Sequence, residues 1–187
     1  MGKMTMGWMT GMLVIALGTN AQNNTPIQGN GYTYNLQAPT DWHNDAAAAS
    51  AQDLNAVFLP TGKTWDNAGT IIYSNVTELD VANGESIAEV MDFDINMYKL
   101  SSPTASVALG TPIDINGGKG TAKVIIISGG SDGTYQAIAY VDEKTVVPFV
   151  VLTSQSQEDF FNNYAKFKDV VASYQFTNAT ATMNAKR

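Results

Sequence analysis

Apolar and polar residues change period along this chain, and each change marks an element. Residues 134–142 (TYQAIAYVD) alternate with period two, the signature of a half-buried strand. The run before them, residues 121–128 (TAKVIIIS), is apolar at every position from Val124 to Ile127. That pattern predicts a central strand covered on at least one side. Residues 145–153 (TVVPFVVLT) make a third strand. Asn116-Gly117-Gly118, residues 129–133 (GGSDG) and Glu143-Lys144 supply short turns between strands, so the three form an antiparallel meander.

Over residues 154–174 the period becomes that of a helix. Phe160, Phe161, Tyr164, Phe167, Val170, Val171 and Tyr174 form a broad apolar stripe, with Asn162, Asn163, Lys166, Lys168 and Asp169 facing away. Ser154 with Gln157, or Ser156 with Asp159, supplies the cap. Burying one Phe contributes ~1.5–3 kcal/mol before entropy, so this stripe docks the helix on the sheet.

The N-terminal half reads in the same way. Strands are expected over residues 32–38, 54–59, 69–78 and 106–115. Pro39 stops the first, and Gly110 and Pro112 interrupt the last. Residues 43–53 read as a loop with one loose turn, and 61–68 as a loop. Residues 86–101 are a helix with Ser86 and Glu89 at capping-box spacing. Its inward stripe is Ile87, Val90, Met91, Met97 and Tyr98, interrupted by Asp94. The fold class is therefore α+β, with an antiparallel sheet of about six or seven strands packed between helices.

The ends of the chain differ from this middle. Residues 1–21 carry Lys3, an apolar run over 9–18 (MTGMLVIALG) and a small residue, Ala21, at a plausible cleavage point. They read as a secretory signal peptide, with an uncleaved anchor as the alternative. The apolar run is about half of the ~20 residues that span a bilayer, and no other stretch is apolar enough to span. Residues 22–31 (QNNTPIQGNG) are expected as a flexible lead-in, 32–176 as a single domain and 177–187 (TNATATMNAKR) as a disordered tail. The expected location is periplasmic or secreted, with no membrane span after leader cleavage.

Charge and cysteine usage narrow the chemistry. Lys plus Arg number 10 against 17 Asp plus Glu, a net charge of −7. Without the leader, which holds Lys3 and no acid, 9 basic residues face 17 acidic ones, a net charge of −8. Such a chain repels phosphate backbones, so nucleic acid is not an expected partner. Cysteine is absent, which excludes disulfides, thiolate metal sites, a cysteine nucleophile and a lipid-acceptor cysteine.

With these elements in order, a strand from Tyr34 ends in a Pro39-Xaa-Xaa-Trp42 turn, and a helix begins Ser86-Ile87-Ala88-Glu89. The meander over 121–153 follows, and then a long helix ending Val170-Val171-Ala172-Ser173-Tyr174 before Phe176. In this order the chain resembles the PsbP-like superfamily over roughly residues 32–176. That group includes an extrinsic photosystem II subunit, a small Ran-binding import factor and many exported bacterial domains of unknown function. The resemblance implies a PsbP-like α/β/α sandwich and protein docking in place of catalysis. It carries over no catalytic set. Metal binding occurs in the PsbP branch, but no matching ligand cluster is found here.

The remaining motifs have plainer readings. Gly129-Gly130-Ser131-Asp132-Gly133 matches the letters of a nucleophile elbow, but a strand follows it and the one histidine, His43, lies upstream, so a hairpin turn explains it better. Gly62-Lys63-Thr64 lacks the first glycine of a phosphate loop, since Val57 stands there. Asp92, Asp94 and Asn96 begin like a calcium loop, but Met97 and Pro103 occupy its glycine and glutamate positions. Asp41, His43 and Asp45 could form a small metal site, although three ligands within five residues are geometrically awkward. Trp42 and Trp65, in expected loops, are either binding anchors or plugs at the ends of the core.

The expected function is a non-catalytic exported domain, a protein-docking or accessory module of the cell envelope. Its partner would be an unidentified envelope or secreted protein, its binding surface Trp42, His43 and Trp65, and no cofactor or metal is expected. The alternative is a small apolar ligand held between sheet and helix by Phe160, Phe167 and Met91. A hydrolase using Ser131 or a carboxylate ranks third.

Overall fold

Val146–Ser154 (β10) is the strand around which the sheet is assembled. Val146, Val150 and Leu152 point to one face and Val147 and Val151 to the other, all buried, so both faces must be covered. The computed structural model describes residues 24–29, 32–130 and 133–178. Thr70–Glu78 (β5) lies antiparallel along one side of β10, and Tyr135–Tyr140 (β9) along the other. Beyond β5 come Ala56–Pro60 (β4) and Trp42–Asn44 (β3). Beyond β9 comes Gly120–Ser128 (β8), whose far edge pairs first with Ser106–Leu109 (β6) and then with Ile113–Ile115 (β7). The result is an eight-stranded antiparallel sheet.

The break between β6 and β7 falls at the glycine and proline that the sequence flags. A Cβ on Gly110 would lie 2.7 Å from Val124 Cγ1, so only glycine lets the backbone pass there. Gly110 still donates its N–H to the Val124 carbonyl at 2.8 Å, which keeps the edge attached across the interruption.

A second, three-stranded sheet joins both ends of the domain. Tyr32–Gln37 (β2) pairs with Asn24–Gly29 (β1) on one side and with Gln175–Asn178 (β11) on the other. The long helix Gln157–Ala172 (α3) packs against both sheets. Phe160, Phe167, Val170 and Val171 share one core cluster with Ile27, Tyr34 and Leu36 of the small sheet and with Phe58, Ile72, Val150 and Leu152 of the large one. The Tyr34 hydroxyl hydrogen-bonds Ser74 Oγ at 2.8 Å, which ties the small sheet to β5. The opposite face is covered by two helices. Ile87–Ser101 (α2) places Ile87, Val90 and Met91 on Ile125, Ile127, Ile138, Val147 and Val151. Ala46–Ala51 (α1) covers Val57, Leu59 and Ile71. The architecture is α+β, with one sheet between helices.

Several elements depart from expectation. Residues 22–31, expected as a flexible lead-in, contain β1. It has a single deeply buried side chain, Ile27, and tolerates Pro26 because it is an edge strand. Such a strand has almost no hydrophobic pattern to read. Thr177 and Asn178, assigned to the tail, pair with Thr33 and Tyr32. The expected loop over 43–53 holds the end of β3 and all of α1, whose first turn is capped by Asp45 Oδ1 accepting from the Ala48 N–H at 2.9 Å. Met97 and Phe161, expected on inward stripes, are exposed. The signal peptide, residues 179–187 and Ser131 lie outside the described residues.

Candidate functional site

Pro39 ends β2, and the Trp42 N–H donates to the Pro39 carbonyl at 3.0 Å, closing a tight turn into β3. Alternation then fixes the two expected site residues of that strand. Trp42 turns inward and is 3% exposed, within the cluster under α3. His43 turns outward and is exposed. Lys166 of α3 closes over the turn. Its ammonium lies 2.7 Å from Asp41 Oδ2 and 5.6 Å from the Trp42 ring centroid. The Lys166 hydrogen bond holds the Asp41 carboxyl below its ordinary range. Trp42 is thus a core side chain pinned by a cation. Around it are two shallow pockets, one of about 280 Å³ touching His43 and Asn44 and one of about 350 Å³ touching Asp41 and Lys166.

Trp65 lies elsewhere. It starts a short 3-10 turn in which Asn67 Oδ1 accepts from the Thr64 N–H at 2.8 Å. Its half-buried ring packs on the cluster of Val57, Leu59 and Ile71, on the α1 side of the sheet. Trp42 faces the α3 side, so the sheet separates the two tryptophans. Phe160 and Phe167 are buried under α3 and Met91 under α2, on opposite faces, so these three do not line one pocket either. The three residues of the metal reading are not free to converge. Asp41 pairs with Lys166 and Asp45 caps α1. Among the described residues no group of three or more His, Asp or Glu is placed to hold a metal ion.

A different surface stands out. Phe93, Met97 and Leu100 are 64%, 49% and 76% exposed. Their i, i+4, i+7 spacing sets them in one row along the outer flank of α2. Glu89 and Asp92, also exposed, flank that row on its polar side. On edge strand β6, Leu109 is 79% exposed. It has the parity of Val107, which packs in the α2 cluster, so Leu109 belongs to the face of the sheet that carries α2. Beneath the helix, polar contacts fix its rotation. The Tyr140 hydroxyl donates to Asp94 Oδ2 at 2.8 Å, and the Tyr98 hydroxyl donates to Gln136. Desolvation, and then the Asp94 charge, push the Tyr140 hydroxyl pKa far above its ordinary value, so it remains a donor. Asp94 therefore occupies an inward position for a reason, and Met97 is left on the flank. The sequence carried the signal for this surface: Phe93 and Leu100 do not fit the inward stripe and are too large to be incidental.

No family model matches the sequence, and no curated protein matches it at a significant level. Solved structures do match in shape. The cyanobacterial PsbP of Synechocystis superposes with a TM-score of 0.52 at 10% identity, covering 86% of this chain and 96% of that one. LpqN, described as involved in cell envelope biogenesis of Mycobacterium tuberculosis, gives 0.51 at 16% identity, covering 84% and 92%. The fold is PsbP-like. A Ran-binding protein of Saccharomyces cerevisiae gives 0.49 at 11% identity, covering 87% and 99%. In this PsbP-like domain no described helix is long and apolar enough to cross a membrane.

Proposed function

We propose that this PsbP-like domain is a non-catalytic, exported accessory module that docks an envelope or secreted protein through the outer flank of α2. The observation that carries the reading is the row Phe93, Met97 and Leu100, with Leu109 on the same side of the sheet. Large apolar side chains gathered on one face of a soluble domain are the usual mark of a contact surface. The occupant is a protein surface with apolar anchors and a basic rim. Glu89 and Asp92 edge the row over its N-terminal part and Lys99 its C-terminal end, and the whole chain is at −7, so a partner rich in Lys and Arg is favoured and a second acidic copy is repelled. A Ser-His-Asp alternative would need His43, which stands exposed on β3 at the sheet edge.

The test replaces Met97 with a photoreactive phenylalanine analogue in the native host. The crosslinked protein is identified, purified and titrated against wild type and the double variant F93D/L100D. The expected result is a weakening of at least about 30-fold, matching hot-spot losses of about 2 kcal/mol or more, with unchanged melting temperature. Equal binding by the double variant would overturn the reading. So would a wild-type dimer in sedimentation that the double variant abolishes, since a second copy would then cover this face.

A further inference from the structure

Three segments remote in sequence meet at one end of the sandwich. They are the turn between β7 and β8, the turn between β9 and β10, and the exit of α3 into β11. Between them is an open pocket of about 300 Å³. That is the lower end of the range for small-molecule sites. Its apolar part comes from Ile115, Val141 and Tyr174, all buried, and from half-buried Phe176. Its charged part comes from Asp142 and Glu143 on one turn and Lys119 on the other.

We propose that this pocket binds a small zwitterion with an apolar body, an amino acid or dipeptide. The ammonium of the ligand meets the Asp142–Glu143 side, its carboxylate meets Lys119, and its side chain lies on Phe176 and Ile115.

The arrangement of charges favours this class over its neighbours. Glu143 is half-buried, and its Oε1 accepts from the Tyr174 hydroxyl at 3.1 Å. Asp142 Oδ1 accepts from the Lys144 N–H at 3.0 Å. Among the described residues, no ion pair within 4.0 Å joins Lys119 to either acid. Opposite charges therefore line one cavity without neutralising each other, and a ligand carrying both signs completes both. A simple anion would face two carboxylates. A simple cation or metal ion would leave Lys119 opposed. Burial raises the Glu143 carboxyl above its ordinary 4.5; the Tyr174 hydrogen bond lowers it and the Asp142 charge adds to the rise. A bound ammonium would relieve that cost.

The experiment is an NMR titration of the amide signals of the exported, purified protein. The probes are L-leucine, the dipeptide Gly-Leu, n-butylamine and butyrate. We expect saturable shifts from leucine or Gly-Leu at residues 117–121 and 142–144. Binding of the two singly charged probes should be at least about tenfold weaker. E143Q and K119A should each weaken the zwitterion by at least about tenfold while keeping a folded spectrum. Leucine against Gly-Leu separates a free amino acid from a peptide. The proposal is overturned if neither zwitterion saturates, if n-butylamine or butyrate binds as well as leucine, or if either variant binds as wild type does.

Discussion

Glu143 shows how a turn residue acquires chemistry from its surroundings. In the sequence it is half of a polar Glu-Lys turn. In the fold, Tyr174 arrives from a helix end 31 residues away and donates to it. Desolvation raises its pKa in the folded state above the ordinary 4.5. The sign of the linkage follows. Below the unfolded value, the carboxyl is protonated in both states and folding bears no penalty. As pH rises through the raised folded value, the native state must ionise a half-buried group, and stability is lost. Glu143→Gln keeps an acceptor for Tyr174 and removes the ionisation. We expect its melting temperature, followed by circular dichroism, to exceed that of wild type at pH 7 and the difference to shrink toward pH 4. A constant difference across that range would place the effect in packing and not in charge. Nothing in the local sequence of Glu143 or Tyr174 indicates the pair, because only the closure of the sandwich brings them together. Trp42 is the reverse case. Its place after a Pro39 turn is legible, and strand alternation makes it a core residue with exposed His43 beside it.

Helical period told which segments are helices more securely than which side chains face in. α3 was legible from its aromatic stripe, yet Phe160 and Phe161, adjacent in sequence, cannot share a direction on a helix. The sheet resolves this: Phe160 is 3% exposed and Phe161 64%. Phe167, with no exposure, sits in the same cluster as Phe160. Phe167→Ala is therefore expected to cost about 3–5 kcal/mol in urea unfolding, and Phe161→Ala within about 0.5 kcal/mol. Comparable losses for both would mean that a further surface covers Phe161. α2 follows the same logic with a polar twist. Asp94 takes an inward position because Tyr140 donates to it, and this helps to turn Met97 out beside Phe93 and Leu100. The hydroxyl that holds Asp94 comes from a strand 46 residues away, so periodicity alone could not account for a carboxylate on the inward side. β1 was illegible for another reason: one buried side chain, Ile27, gives no period at all.

For the whole molecule, charge and shape make separate contributions to docking. The apolar row on α2 supplies contact, and salt does not screen it. The net charge of −7 acts at a distance and is screened. The Debye length falls from about 10 Å at 0.1 M salt to about 3 Å at 1 M. If the partner has the basic rim argued from Glu89, Asp92 and the net charge, salt should slow association and change dissociation little, because steering governs encounter and buried anchors govern escape. The paired measurement is surface plasmon resonance of the identified partner over that salt range, with wild type and F93D/L100D. Wild type should lose on-rate with salt at nearly constant off-rate. The double variant, two charges more acidic, should keep or exceed the wild-type on-rate at low salt and dissociate faster throughout. An off-rate that climbs with salt in wild type would instead make ion pairs the glue of the contact, and the exposed row of α2 would lose its role as the anchor.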